Sequence, residues 1–209
     1  MKVAILVFEK LTALDAIGPY EVLSRLPGAE VQFVAKEAGL VRTDTGALGV
    51  SADRSIADTE LPEILLVPGG EGNRPLLTDE EVLDWVRAAH EGTTWTTSVC
   101  TGSLVLGAAG LLDGVRATSH WAFLDRLARY GAEATSERVV IDGKIVTAAG
   151  VSSGIDMALT LAAEIAGSEV AQAIQLGIEY DPEPPFDAGS PHKAPPAIVE
   201  LVRGAETGS

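Results

Sequence analysis

Residues 3–8 are apolar at odd and even positions alike, the pattern of a strand buried on both faces. A loop follows, then Gly18-Pro19. Proline is favoured at the first helical position, so a helix carrying Tyr20, Val22, Leu23 and Leu26 is expected to open at Pro19 and stop at Pro27-Gly28. A second strand is expected over residues 31–35. Residues 41–55 are rich in Gly, Thr and Asp with weak alternation, and read as a small hairpin or an irregular excursion. A short apolar run at 64–67 ends in Pro68-Gly69-Gly70. Thr78 and Glu81 stand at capping-box spacing ahead of Val82, Trp85, Val86 and Ala89, which predicts a capped helix.

Further on, residues 93–99 form a threonine-rich strand, Cys100 follows directly, and residues 103–109 are small and apolar, as in a helix packed closely on a sheet. Residues 121–130 are a helix candidate. Residues 139–141 and 145–147 flank Asp142-Gly143 and predict a hairpin. Two helices are expected over 152–166 and 169–176, separated by Gly167. Strand–helix units repeated in this order predict an α/β fold: a doubly wound, mainly parallel sheet with helices on both faces. From 181 to 196 the composition changes, with prolines at 182, 184, 185, 191, 195 and 196. The expected organisation is one domain over 1–180 and a proline-rich C-terminal arm and tail over 181–209. Such arms often pack on a partner subunit, so a homodimer is expected.

Composition narrows the partners. Of 209 residues, 46% are hydrophobic and 22% charged, enough for a sizeable core and too apolar for wholesale disorder. Fifteen basic residues face thirty acidic ones, a net charge of −15, which repels nucleic-acid backbones and anionic lipid. Neither is an expected partner; a small-molecule substrate is. The apolar run at the N-terminus stops at Glu9, too short for a signal peptide, and the stretch 104–112, broken by Gly107 and Gly110, is far short of a membrane span. A cytoplasmic protein is expected. With one cysteine there is no intramolecular disulfide, and no spacing of histidines or cysteines suits a metal, so no metal and no cofactor are expected.

The chemistry centres on Ser98-Val99-Cys100-Thr101-Gly102, where a strand ends and a small-residue helix begins with the cysteine at the join. This is the setting of a nucleophile elbow. A lone cysteine is more often a small buried hydrophobe; its place at the join favours a nucleophile. The helix N-terminus there is expected to lower the thiol pKa. Pro68-Gly69-Gly70 also ends a strand, and the N–H groups of Gly70 and Thr101 could form an anion hole. Asp15, in the turn after the first strand, reads equally as a proton-transfer carboxylate beside the thiol or as a cap for the following helix. His90 reads as a surface residue near a helix end, and His192 lies in the arm. His120, beside Trp121, reads as structural or as a partner within reach of Cys100.

Taken together, Asp15-Ala16-Ile17-Gly18-Pro19-Tyr20-Glu21-Val22, Val67-Pro68-Gly69-Gly70, the elbow, Ala109-Gly110-Leu111-Leu112-Asp113-Gly114, Thr118-Ser119-His120-Trp121 and Val146-Thr147-Ala148-Ala149-Gly150-Val151-Ser152-Ser153-Gly154 resemble the ThiJ/PfpI superfamily, with its class I glutamine amidotransferase-like fold. The stretch 175–191 is similar to the end of its isonitrile hydratase branch. The resemblance implies a flavodoxin-like sheet, a homodimer, and cofactor-independent hydration of an isonitrile to an N-substituted formamide through a thioimidate. It implies Cys100 as nucleophile, Asp15 as proton-transfer carboxylate, and Gly70 and Thr101 around the substrate; by adjacency to these motifs, Ile17, His120, Trp121 and Ser153 are candidate pocket residues. Where PfpI-type proteases carry a histidine after the cysteine, this chain has Thr101, and where the chaperone and deglycase branch has a glutamate it has Asp15. The sensor domains of AraC-type regulators share the Cys-Thr-Gly and Thr-Ser-His-Trp segments, but no helix-turn-helix domain is expected in a sequence that reaches Ser209 after the arm. The alternative function is a non-catalytic, redox-responsive or small-molecule-sensing member of the superfamily.

Overall fold

The computed structural model describes residues 1–207. In chain order the elements are β1 (Lys2–Leu6), α1 (Ala13–Leu23), β2 (Glu30–Ala35), β3 (Gly39–Arg42), β4 (Gly49–Ala52), β5 (Arg54–Ser55), β6 (Ile64–Val67), α2 (Asn73–Leu76), α3 (Glu80–Gly92), β7 (Trp95–Val99) and α4 (Gly102–Ala108). There follow β8 (Arg116–Ala117), a 3-10 helix (Trp121–Tyr130), β9 (Glu133–Ala134), β10 (Val139–Asp142), β11 (Ile145–Ala148), α5 (Ser153–Ala166), α6 (Ser168–Gly177) and α7 (Pro196–Thr207).

Seven strands form one sheet in the order β10-β11-β7-β6-β1-β2-β5. All neighbouring pairs are parallel except β10–β11, a hairpin whose turn is Gly143-Lys144, one residue on from the expected Asp142-Gly143, because Asp142 pairs with Ile145 inside the ladder. β6 and β11 are buried at every position, as strands covered on both faces are; the polar exception, Thr147, accepts from Thr118 N–H at 2.9 Å through its hydroxyl. The helices form two groups. α1, α5 and α6 pack on one another, while α2, α3 and α4 form a second cluster extended by the 3-10 helix. This is the doubly wound α/β architecture that the strand–helix alternation predicts and the flavodoxin-like sheet that the resemblance implies. The threonines of β7 are accommodated by internal bonds: Thr97 Oγ1 donates to the Leu65 carbonyl at 2.9 Å, and Thr93 and Thr96 pair through their hydroxyls at 2.7 Å.

Several local expectations are corrected. α1 begins at Ala13 and holds Pro19 inside it, because proline at N1 and proline in a helix interior look alike in sequence. Asp15 therefore lies in the first turn of α1 and not in the preceding loop. The capping box does not form; Asp79 takes the N-cap position of α3 and pairs with Lys36, while Thr78 Oγ1 donates back to the Pro75 carbonyl. Of the two readings for 41–55 the hairpin is the one found: β3 and β4 pair antiparallel, starting two residues earlier at Gly39, and β5 joins the edge of the main sheet. His90 is half-buried, its Nδ1 2.9 Å from Thr96 Oγ1; burial and then the nearby Lys144 lower its pKa. Residues 121–130 wind as a 3-10 helix. Past the prolines, the tail is helical as α7, which packs on the 3-10 helix; residues 208–209 of the expected tail lie outside the described residues. Among the described residues no helix is long and apolar enough to cross a membrane.

Candidate active site

The strand order changes direction around β1: the chain moves from β1 to β2 on one side, then crosses to β6, β7 and β11 on the other. Ligands in open α/β sheets bind at the carboxyl ends of strands beside such a reversal. Asp15 follows β1, Gly69 and Gly70 follow β6, Cys100 follows β7 and Val151 follows β11, so residues scattered through the sequence meet at one edge of the sheet.

Cys100 sits at φ 57°, the left-handed conformation of an elbow. The strained turn is held from several sides. Cys100 N–H donates to the Ala149 carbonyl at 2.9 Å, and its own carbonyl accepts from Ser103 Oγ at 3.1 Å and Ser119 Oγ at 3.0 Å. Close approach of the strand ends depends on two glycines. A Cβ at Gly69 would fall 2.5 Å from Thr101 N and 2.9 Å from Cys100 Cβ, and one at Gly102 would fall 2.0 Å from the Val67 carbonyl oxygen. Only hydrogen fits at either position.

Asp15 is fully buried. Its Oδ2 accepts from Gly69 N–H at 2.9 Å; its Oδ1 is buried without a conventional hydrogen bond, and the carboxyl's side-chain partner is the Cys100 thiol. Desolvation raises the Asp15 pKa to about 7, against the opposing pull of the Gly69 N–H and the thiol. Thr12 holds the N-cap of α1, so Asp15 does not cap the helix; its side chain turns to Gly69 and Cys100.

The thiol departs from expectation. Burial first, and then the charge of Asp15, raise its pKa well above the ordinary value, while the N–H groups of Thr101 and Val151 pull the other way. The helix-terminus argument underweighted desolvation, and α4 has only seven residues. Carboxyl and thiol are in contact, so their protons belong to the pair and not to either group alone.

The anion hole is also differently built. Gly70 N–H donates to Thr101 Oγ1 at 3.1 Å, so it orients that hydroxyl. The N–H groups at the sulfur belong to Thr101 and Val151. Val151, a β-branched residue at φ 35°, is a marked backbone outlier, held where its N–H meets the thiol. Sequence reading missed it as a site residue, although Ala149-Gly150-Val151 follows a strand as the elbow does. It also missed Asn73, whose buried amide donates to the Thr101 carbonyl at 2.9 Å.

A pocket of about 270 Å³ opens above this floor. Cys100, Thr101, Gly70 and Val151 line it, with His120 and Phe123 on one wall and Ala205 of α7 on another. His120 Nδ1 accepts from Ala122 N–H at 3.4 Å, capping the 3-10 helix, so the ring has a structural bond and a pocket face together. Three predicted residues lie elsewhere. Ile17 lines a separate apolar groove with Ile155 and Ile178, Trp121 stacks beside His120 under the Arg203 guanidinium, and Ser153 is wholly buried at the start of α5. Among the described residues no cluster suits a metal ion.

A doubly wound sheet carrying a positive-φ cysteine at a strand–helix elbow, backed by a buried carboxyl, defines a class of α/β proteins built for cysteine chemistry. The chain belongs to the DJ-1/PfpI family, whose model matches residues 1–164. It is 46% identical to the isonitrile hydratase of Pseudomonas putida over 203 residues, covering 97% of this chain and 89% of that enzyme. The crystal structure of a ThiJ/PfpI family protein from Pseudomonas syringae superposes with a TM-score of 0.95 at 39% identity, covering 98% of this chain and 86% of that one. The HTH-type transcriptional regulator CdhR of Pseudomonas aeruginosa is 29% identical over 177 residues, which are 83% of this chain and 52% of the regulator.

Proposed function

We propose that this protein hydrates an isonitrile, R–N≡C, to the N-substituted formamide, with Cys100 as nucleophile and Asp15 as the proton carrier. The observation that carries the reading is the buried Asp15–Cys100 pair, whose carboxyl is brought to about pH 7. The high identity to an isonitrile hydratase across nearly the whole chain supports the substrate class.

The thiol proton moves to Asp15, giving a thiolate next to a neutral acid and removing the charge repulsion that otherwise opposes ionisation. The thiolate attacks the terminal isonitrile carbon, and Asp15 returns the proton to that carbon. The product is the thioimidate R–N=CH–S–Cys100. Asp15, now a carboxylate, takes a proton from water as its oxygen adds to the same carbon and passes that proton to the imidate nitrogen; the proton left on the added oxygen goes to the sulfur as the adduct collapses. Collapse breaks the C–S bond and releases R–NH–CHO and the thiol. The N–H groups of Thr101 and Val151 stabilise the sulfur anion at the start and at the end. The Thr101 hydroxyl, set by Gly70, positions substrate or water. The scheme needs no cofactor.

The test is direct: purified protein with an aryl isonitrile, formamide followed by mass spectrometry, Cys100→Ala alongside. Product from the wild type alone supports the reading; no product from a folded wild type with several isonitriles ends it. A homodimer in the cytoplasm belongs to the same proposal. The exposed Leu14, Leu176 and Phe186 supply apolar surface for an interface.

A further inference from the structure

The floor of the pocket accounts for the chemistry but not for its mouth, where charged side chains gather. Arg126 and Arg74 line it, and so do Asp44 and Glu71. Two acids beside two arginines would ordinarily pair, and here they do not. Asp44 accepts from the Thr12 hydroxyl at 3.0 Å and from Thr45 N–H at 2.8 Å, and Glu71 pairs with Lys10 at 3.3 Å. Among the described residues, neither Arg74 nor Arg126 has a carboxylate partner.

Arg126 is also held in place. Its guanidinium carbon lies 4.6 Å from the centroid of the Phe123 ring, another pocket residue, so one planar face is occupied while the edge N–H donors stay available. A planar fork fixed on an aromatic ring is suited to bidentate recognition of a carboxylate. Arg74 follows Asn73, whose amide is anchored to the Thr101 carbonyl, so its backbone is tied to the elbow itself. In a chain of net charge −15, an anionic substrate would be repelled by the surface as a whole. Two arginines lining the pocket that holds Cys100 reverse that field locally.

We infer that Arg126, assisted by Arg74, binds an anionic group on the substrate, so that the preferred isonitriles are those carrying a carboxylate on the R group. The inference deepens the hydration reading and rests on it for the reacting end; the anion site itself is separable.

The experiment therefore has two arms. In the first, kcat/KM is measured for an isocyanobenzoate and for its neutral methyl ester, and the carboxylate-to-ester ratio is formed within each protein. The wild-type ratio is expected at about tenfold in low salt, falling as salt screens the contact. In Arg126→Gln it should drop by about fivefold, further in the double variant with Arg74→Gln, and Arg126→Lys should restore part of it. Taking the ratio within one protein cancels general losses of activity or folded fraction. In the second arm, Cys100, the only cysteine, is alkylated with iodoacetate and with iodoacetamide, and the rate ratio is compared between wild type and Arg126→Gln. The anionic reagent should lose its relative rate in the variant. A wild-type ratio at or below one, or ratios unmoved by the substitutions in both arms, overturns the inference while hydration of the ester stands. If wild type hydrates neither compound but the alkylation ratio shifts as expected, the anion site stands and the hydration reading falls.

Discussion

Asp15 Oδ2 accepts the Gly69 N–H at 2.9 Å, a bond that joins the first turn of α1 to the loop leaving β6. It fixes one edge of the carboxyl and turns the group to the Cys100 thiol. The same loop is held against the elbow from the other side, where Gly70 N–H meets Thr101 Oγ1 at 3.1 Å. One two-glycine turn thereby orients both the Asp15 carboxyl and the Thr101 hydroxyl that flank Cys100.

Cys100→Ala is expected to abolish formamide formation while leaving far-UV circular dichroism and Tm close to wild type. The side chain is small and its backbone clamps, the carbonyl bonds from Ser103 and Ser119, are untouched. Turnover above a hundredth of wild type would contradict the nucleophilic role.

The pH profile follows from the shared proton. Below pH about 7 the Asp15–Cys100 pair carries two protons and no thiolate can form beside a neutral acid; above it the pair carries one. For a neutral isonitrile, kcat/KM should rise with unit slope to a plateau entered near pH 7. In Asp15→Asn that inflection should disappear and the remaining activity should rise only at the higher pH where the thiol itself ionises.

Stability should show the converse. A carboxyl whose pKa is 3.8 unfolded and about 7 folded binds its proton more tightly in the native state. Its contribution is complete below pH about 4 and is lost as pH rises through about 7. Asp15→Asn lacks this loss, so its Tm advantage over wild type should grow between those limits and then level off. The full difference is on the order of 4 kcal/mol. Denaturation at a series of pH values measures it; a constant gap would mean that the carboxyl is not perturbed as described.

Gly102→Ala should be costly, because the new Cβ would fall 2.0 Å from the Val67 carbonyl oxygen and 2.8 Å from that of Pro68, and backbone cannot yield as a side-chain tip can. A loss of about 3 kcal/mol in chemical denaturation is expected, together with loss of activity. An unperturbed variant would show that β6 and α4 are not in such close register.

Asn73→Ala removes the amide that satisfies the Thr101 carbonyl. A loss of about 1–3 kcal/mol is expected from the orphaned acceptor, with a fall in kcat larger than any rise in KM, since what loosens is the residue whose N–H faces the sulfur. Asn73→Asp would not rescue, because a carboxylate cannot donate.

The sheet was legible because a strand covered on both faces has to be apolar at every position, and residues 64–67 and 145–148 are close to that limit. Cys100 was legible from its place between a strand and a small-residue helix. The sign of its pKa shift was not, because desolvation depends on what the fold stacks over the elbow. Asp15 was legible as a candidate, but its role depended on which way a side chain in the first turn of α1 points, and Pro19 drew the helix start to the wrong residue. Val151 and Asn73 act through a backbone N–H and through one carbonyl contact, neither of which leaves a chemical signature in the residue type. Ile17, Trp121 and Ser153 show the limit of adjacency along the chain: each lies near a motif, yet Ile17 lines another groove, Trp121 packs against His120 and Arg203, and Ser153 is wholly buried.

The family match ends at residue 164, whereas Ala205 of α7 stands in the wall of the Cys100 pocket. One wall residue thus comes from beyond the matched stretch, while the elbow, Arg74 and Arg126 lie within it. The elbow, the carboxyl and the glycine turn lie inside the matched stretch, and a piece of the wall is contributed by a terminal helix outside it. Exchanging α7 between homologues is therefore expected to retune which R groups fit while leaving the bonds around the elbow in place.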